Sequence, residues 1–331
     1  MFKRSKKTPA AHHDRLALRY IEGNLTFTSN EAWAWFVLPT EPWAFRSDSQ
    51  REQSLLGSGD ALTWLEGHRL HLRVTSRPYP TAEWASGLHR RTPNPLHTPG
   101  VPSWGDHLVD AQMHLRTLTM AEKEVYLGVR VTSRSASHRM ISRIWRHPGN
   151  IEHARLLSQV ERISEAVALP GLSGRPATSA EMEWLLRRSV GIGLPSPSEL
   201  SPVDHEAWER EDLDTFSDNV EYAVAPLGRT VQVSGLQAEV ASNRHVAVLS
   251  VGRVEEIEAP GAAHEPWLAH TDRLPFPVEW SCQFEVLSGV EAKRAVLETH
   301  RRLKATPSRT PVPDDFLLDW IERGNIRGHN T

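Results

Sequence analysis

The hydrophobic pattern of residues 31–80 predicts a strand, a helix and a second strand, in that order. In the first strand, residues 32–38, apolar side chains occupy both faces, which is typical of a strand buried on both sides. In the second strand, apolar residues alternate with cationic ones, which predicts one buried face and one solvated, cationic face. The apolar positions are Leu70, Leu72 and Val74, and the cationic positions are Arg69, His71 and Arg73.

The helix between these strands has clear start and stop signals. Ser47 and Gln50 have the spacing of a capping box, in which each side chain satisfies a free backbone N–H at the helix start. Gly67 is the residue expected to end the helix. Gly57 and Gly59 weaken it by roughly 1 kcal/mol each relative to alanine, and they leave room for another backbone to approach closely.

Similar patterns predict elements along the rest of the chain. A run of apolar residues on both faces at 244–251 indicates a central strand, and the alternation at 276–286 places Cys282 in the core with the neighbouring aromatic residues. A capping box at Thr178 and Glu181 opens a helix that Gly191 closes. The other predicted helices lie at 104–118, 151–168, 291–304 and 316–325, and another strand lies at 124–132.

This order of elements predicts an α+β fold with a mixed sheet built from β-α-β units and helices packed on it. A helical middle section and a second group of strands follow. The predicted divisions are a basic flexible arm at 1–22, an α+β unit at 23–134, a mainly helical section at 135–210, a strand-rich section at 211–290 that packs on the first unit, and a helical, proline-rich tail at 291–331.

Composition narrows the classes of function. A net charge of −3 over 331 residues argues against nucleic acid as the partner of the whole surface, although a local basic patch remains compatible with it. The single cysteine excludes an internal disulfide framework and a cysteine-based zinc site. No apolar run reaches the roughly 18 residues that a membrane span requires. These features predict a cytoplasmic protein.

The motifs that usually carry chemistry are missing from the sequence. GxxxxGK[ST], GxGxxG, HExxH and GxSxG do not occur. The glycine-rich stretch 171–176 lacks the phosphate-binding lysine and has a proline at its end, so a loop between two helices is expected there. A Ser/His/Asp triad stays open, because its members assemble in space. We predict no catalytic, cofactor-binding or metal-binding residue.

Two groups of cations are candidates for docking to a partner or to a membrane surface. The first lies in the N-terminal arm, where a solvated terminus is the simpler explanation and attraction of the clustered cations to anionic lipid headgroups is the alternative. The second lies along the predicted cationic strand, where the alternatives are a solvated face and a docking face for an acidic surface. The candidates are Lys3, Arg4, Lys6, Lys7, Arg69, Arg73 and Arg77.

Several long stretches together resemble the N-terminal region of the large assembly ATPase of type IV secretion and conjugation machines. The similarity is to the form found in conjugative elements of Gram-positive bacteria, often called ATP-binding protein, and it covers roughly residues 2–294. The stretches are WFVLPTEPWAFRSDSQREQ, HRLHLRVTSRPYP, RPATSAEMEWLLRRSVGIGLP, RHVAVLSVGRVE and LPFPVEWSCQFEVLSG.

The resemblance implies an α+β docking module that holds the ATPase against the inner-membrane part of the channel. In that family the nucleotide site lies in a later RecA-like domain. This sequence departs from the family after about residue 293 and ends before any phosphate loop, so we expect a truncated or frameshifted form. No catalytic residue can be transferred to it, and ATP with Mg²⁺ is expected only for a full-length member.

The leading hypothesis is therefore a docking and scaffolding module at the cytoplasmic face of the membrane. Its expected partners are other subunits of the DNA-transfer machine, with self-association as a further option and no specific nucleic acid. The alternative is an ATP-binding or ATP-hydrolysing component that acts through an unrecognised site or together with intact subunits. A free-standing DNA-binding protein is disfavoured by the net charge.

Overall fold

The computed structural model describes most of the chain between residues 17 and 305. The described residues are 17–28, 31–40, 46–95, 99–118, 121–131, 151–196, 200, 207–224, 228, 230–237, 240–249 and 278–305. Within them the chain has an α+β fold, as predicted. The predicted helix at 316–325 and the cations Lys3, Arg4, Lys6 and Lys7 lie outside these residues.

The strands are β1 (Leu18–Glu22), β2 (Leu25–Thr28), β3 (Ala32–Leu38), β4 (Arg69–Pro78), β5 (Ala121–Arg130), β6 (Arg175–Pro176), β7 (Ala207–Trp208), β8 (Val220–Val224), β9 (Val231–Gln237), β10 (Val240–Val246) and β11 (Trp280–Glu285). The helices are α1 (Asp48–Thr63), α2 (Thr81–Arg91), α3 (Trp104–Thr117), α4 (Ile151–Ala168), α5 (Ser179–Val190), α6 (Arg210–Asp214) and α7 (Gly289–Ala305). Strand β1 lies within the segment 1–22 that was predicted as a flexible arm, so the predicted end of the arm at residue 22 is wrong.

The larger sheet has eight strands in the order β11-β4-β5-β3-β2-β1-β7, and the short β6 pairs with the end of β3 beyond β2. All of the described pairings are antiparallel. The prediction of a mixed sheet is therefore wrong. A β-α-β unit does exist in β3-α1-β4, but β5 inserts between its two strands and pairs antiparallel with both.

The main core lies on one face of this sheet, beneath α1 and α4. Phe36 and Leu127, on the central strands, are almost fully buried there, together with Val167 of α4. The opposite face of β3 is also covered, since Trp35 and Val37 pack towards α5. The prediction that β3 is buried on both sides is confirmed.

The capping box of Ser47 and Gln50 starts α1 as expected.

The predicted close approach of two backbones occurs at Gly57, one of the two glycines of α1. A Cβ atom added at Gly171 would lie 2.1 Å from the carbonyl oxygen of Gly57, and Gly171 has a φ of +107°. The hydroxyl of Ser58 donates a hydrogen bond to the carbonyl oxygen of Gly171, 2.9 Å away, and fixes this contact.

A smaller sheet, β10-β9-β8, packs against the loop that follows α5. Leu194 of this loop is buried against Val233 of the sheet. Strand β10 ends at Val246, and beyond it Val248 and Leu249 are 82% and 91% exposed. The prediction of a central strand over 244–251 is wrong, because the hairpin with β9 ends the pairing at the Val246–Val231 pair.

The prediction that Cys282 belongs to the core is also wrong, because its side chain is exposed. Alternation correctly places Cys282 on the same face as Phe284, which packs against the main core. Strand β11, however, is the outermost described strand of its sheet. A face of an outer strand is buried only where a helix extends far enough to cover it.

Among the described residues, no helix has the length and apolar character needed to cross a membrane.

Candidate functional site

Strand β4 places Arg69, Arg73 and Arg77 on one face, as predicted, because side chains two and four residues apart share a face. Their side chains are 45%, 15% and 11% exposed, respectively. The predicted solvated cationic face is therefore wrong for Arg73 and Arg77, since each is held beside a buried carboxylate. Arg69 is more open, and its guanidinium lies 3.9 Å from the carboxylate of Glu31.

Glu279 is the shared anion of two arginines between the sheet and α5. Its Oε1 atom accepts a hydrogen bond of 2.5 Å from Nε of Arg188, and its Oε2 atom lies 3.9 Å from Nη2 of Arg73. The side chains of Glu279 and Arg188 are only 10% and 6% exposed. Arg73 also donates a hydrogen bond to Ser189 of α5. Burial lowers the pKa of Arg73, and the charge of Glu279 opposes that change.

Arg188 also connects the two sheets. Its Nη1 atom donates a hydrogen bond of 2.7 Å to the carbonyl oxygen of Leu194, which is buried against the smaller sheet. The hydroxyl of Tyr222, on β8, donates to the carbonyl oxygen of Val190 at the end of α5. The C-terminal turn of α5 therefore joins β4, β11 and the smaller sheet.

A second buried ion pair lies further along β4. Nε of Arg77 donates a 2.6 Å hydrogen bond to Glu124, which also accepts one from the hydroxyl of Tyr126 at 3.2 Å. Burial raises the pKa of Glu124, although the nearby guanidinium opposes the rise. Burial and the neighbouring carboxylates raise the pKa of Tyr126 well above its ordinary value. The Tyr126 ring stacks on Trp184 of α5, with centroids 6.4 Å apart.

The start of α5 is secured by the predicted capping box. Thr178 and Glu181 exchange side-chain and backbone hydrogen bonds, and Glu181 also accepts from Arg175 at 2.5 and 2.8 Å. Burial alone would raise the pKa of Glu181, but the hydrogen bonds from Arg175 and Thr178 outweigh it and the pKa is lowered. These contacts orient α5 over the sheet.

His71 and Ser281 form the one described arrangement that resembles part of a hydrolytic site. The Nε2 atom of His71 lies 2.8 Å from the hydroxyl oxygen of Ser281, and the imidazole makes T-shaped ring contacts with Trp33 and Trp35. Burial, followed by the charge of Arg73, lowers the pKa of His71 to about 4.

This pair is poorly suited to nucleophilic catalysis. An imidazole with so low a pKa is a weak general base near neutral pH, where a base with a pKa close to 7 works best. Among the described residues, no carboxylate hydrogen-bonds to the His71 ring, so nothing fixes the tautomer and stabilises the imidazolium as in a triad. The geometry favours a contact that joins β4 to β11.

The glycine-rich stretch 171–176 lies in the connection between the helices α4 and α5, as predicted, and it packs closely against its neighbours. A Cβ atom at Gly174 would lie 2.5 Å from the side chain of Val167 and 2.6 Å from that of Leu38. Arg175 and Pro176 then pair with β3. The backbone of this turn is therefore engaged with the sheet and with α1.

Helix α2, which was not predicted from the sequence, pairs with α3 to form a helical hairpin between β4 and β5. Among the described elements, each of the two helices packs chiefly against the other. Thr81, Ala85 and Leu108 are buried, and Nε of Arg116 on α3 donates a 3.3 Å hydrogen bond to the hydroxyl of Thr81 on α2. The spacing of Thr81, Ala85 and Leu88 was the available signal for α2, but its N-terminus lacks a side-chain cap. A capping box of Ser103 and Asp106 starts α3.

The outer side of this hairpin carries large apolar residues in solvent. Val109 and Met113, one turn apart on α3, are 52% and 53% exposed. Val101 and Leu118, at either end of α3, are 58% and 51% exposed. Leu108, on the helical stripe predicted for 104–118, is buried, whereas Val109 and Met113 form an exposed apolar pair on another face of α3. Leu118 is nine residues from Val109, which places it on the opposite side of the helix.

Within the described part of the chain, no three or more histidine, cysteine, aspartate or glutamate side chains lie close enough together to hold a metal ion. Neither a protein-family model nor a curated protein matches the chain.

Proposed function

We propose that the chain is a docking and scaffolding module of a conjugative-transfer machine. In this proposal it corresponds to the N-terminal region of a type IV secretion-like ATPase and has no nucleotide-hydrolysing site of its own. The family rests on the resemblance of the five sequence stretches described above. The observation that carries the docking role is the apolar outer surface of the α2–α3 hairpin, centred on Val109 and Met113.

Two properties of this surface favour a protein as its partner. Val109 and Met113 lie one turn apart, and neighbouring apolar side chains in solvent are candidates for contact with a protein partner. The sequence of the hairpin, residues 81–118, contains three acidic residues and three arginines, so it has no net charge to attract an anionic lipid surface. The acidic residues are Glu83, Asp106 and Asp110, and the arginines are Arg90, Arg91 and Arg116.

The proposed partners are other subunits of the machine at the cytoplasmic face of the membrane, with self-association as a further option. Arg73 and Arg77 are held in internal ion pairs, so we assign docking to the hairpin rather than to the face of β4. Contact of Lys3, Arg4, Lys6 and Lys7 with lipid headgroups stays a prediction for the N-terminal arm.

Membrane vesicles provide the test of this function. The purified chain is mixed with inverted vesicles from cells that carry a conjugation machine of this type and from cells that lack it. We expect the chain to sediment with the first vesicles and not with the second. Equal sedimentation with both would indicate binding to lipid, and no sedimentation with either would contradict the docking role.

The ATP-binding alternative is tested separately. Calorimetric titration of the chain with ATP and Mg²⁺ should give no binding at micromolar concentrations, because GxxxxGK[ST] is absent and the turn at Gly171 is filled by Gly57. Micromolar binding would favour the alternative.

A further inference from the structure

Four buried polar atoms between α5 and the sheet have no hydrogen-bond partner among the described residues. They are Nε of Arg73, Oγ1 of Thr75, Nε1 of Trp184 and Oε2 of Glu279. Thr75 is fully buried, and Trp184 is 5% exposed. Nearly all buried polar groups in folded proteins are hydrogen-bonded to protein or to ordered water. Three of these atoms, on Arg73, Thr75 and Glu279, lie on neighbouring strands and call for a common explanation.

The sheet register brings these atoms into one region. Arg73 and Thr75 are two residues apart on the same face of β4. Trp280 pairs with Val74, so Glu279, one residue earlier on the antiparallel strand, lies beside Thr75. Tyr126 pairs with Arg73 across β4 and β5, and Trp184 stacks on that tyrosine.

We propose that a buried water molecule bridges Arg73, Thr75 and Glu279 in this interface. The Nη2 atom of Arg73 and Oε2 of Glu279 are 3.9 Å apart, which is too far for a direct hydrogen bond. Oε2 of Glu279 therefore lacks a donor and Nε of Arg73 lacks an acceptor, and one water molecule can supply both. The water accepts a hydrogen bond from the Nε–H of Arg73, donates one to Oε2 of Glu279, and makes a third with the hydroxyl of Thr75. Three partners are typical of a buried water molecule.

Water fits this set of atoms better than a small anion does. An anion would satisfy the Nε–H of Arg73 but would be repelled by the carboxylate of Glu279 in a region of low dielectric constant. A water molecule can accept from the guanidinium and donate to the carboxylate at the same time. It thereby completes the hydrogen bonding of the charge cluster that joins β4 to α5 and β11.

A crystal structure of the full chain tests the position directly. At a resolution that shows ordered water, we expect a peak within hydrogen-bonding distance of Nε of Arg73 and Oε2 of Glu279. An empty region between these atoms, or density for an anion, would overturn the proposal.

Two substitutions at Thr75 provide an independent energetic test. If the hydroxyl binds water, Thr75→Val removes a hydrogen bond, and the unfolding equilibrium constant should rise roughly three- to tenfold. Thr75→Ser keeps the hydroxyl and loses only the methyl group, so it measures the packing contribution separately from the hydrogen bond. If the hydroxyl has no partner, valine relieves a desolvated polar group. A Thr75→Val variant as stable as the wild type, or more stable, would overturn the proposal.

Discussion

Removing the charge of Glu279 should destabilise the protein more than removing either arginine that it serves. Glu279 lies 2.5 Å from Arg188 and 3.9 Å from Arg73, and the three side chains are 10%, 6% and 15% exposed. Glu279→Gln keeps the shape of the side chain and leaves two buried guanidinium groups without an anion. Arg188→Met leaves Glu279 with Arg73 as its remaining partner.

The expected magnitudes follow from burial. Leaving a buried charge without its partner costs about 3–5 kcal/mol, so Glu279→Gln should lower the free energy of unfolding by that amount. Arg188→Met removes charge-assisted hydrogen bonds, including the one to Leu194, and should cost about 1.5–3 kcal/mol. In the double variant only Arg73 lacks an anion, so its total cost should be smaller than the sum of the single costs by about 0.5–3 kcal/mol.

Urea unfolding followed by tryptophan fluorescence measures these differences. Glu183→Gln is the matched control, because Glu183 accepts a 2.7 Å hydrogen bond from Arg187 on the same helix, but their side chains are 21% and 47% exposed. That exposed pair should contribute only about 0.3–0.5 kcal/mol. A loss of stability in Glu279→Gln no larger than that in Glu183→Gln, or smaller than that in Arg188→Met, would show that Glu279 is not the shared anion of the two arginines.

Three further predictions concern pH and backbone packing. The pKa of His71 is lowered from 6.5 to about 4, so the neutral imidazole contributes stability above pH 6.5 that is lost as the pH falls towards 4. His71→Gln should therefore flatten this part of a plot of unfolding free energy against pH. The lowered pKa of Glu181 also gives stability at neutral pH that is lost in acid. Glu181→Gln should lower the free energy of unfolding by about 1.5–3 kcal/mol at pH 7, because it weakens the contacts with Arg175. The difference from wild type should disappear at a pH low enough to protonate the wild-type carboxyl. Gly171→Ala should lower the free energy of unfolding by more than about 3 kcal/mol or prevent folding, because the added Cβ would overlap Gly57. Gly59→Ala has nothing within 4 Å of the added Cβ and should stabilise α1 by up to about 1 kcal/mol. Equal thermal midpoints for the two glycine variants would contradict this packing.

Local signals in the sequence predicted much of the fold. The capping boxes at Ser47 and Thr178 fixed two helix starts, because a cap is determined by residues within one turn of each other. Helix α2 has no such cap and was missed. The apolar side chains on both faces of β3 predicted burial on both sides, because each face must be shielded from water whatever elements pack on it.

The charge cluster could not be predicted in the same way. Arg188 and Glu279 are 91 residues apart in sequence, and no local pattern identifies one as the partner of the other. Alternation assigned Arg73 to the cationic face correctly, but it carried no information on what covers that face. The same limit explains Cys282, whose face was correct and whose exposure depends on how far the helices extend over β11.

The α2–α3 hairpin is the proposed docking surface, and a vesicle-binding titration of surface variants tests this role most directly. Val109→Asp/Met113→Asp places two charges on exposed positions of α3, while Leu56→Asp alters a residue of α1 that is similarly exposed, at 56%. With vesicles that carry the conjugation machine, the double variant should bind at least about tenfold more weakly, a loss of about 1.4 kcal/mol, while Leu56→Asp binds like the wild type. Circular dichroism should show that both variants are folded. Wild-type affinity in the folded double variant would contradict the claim.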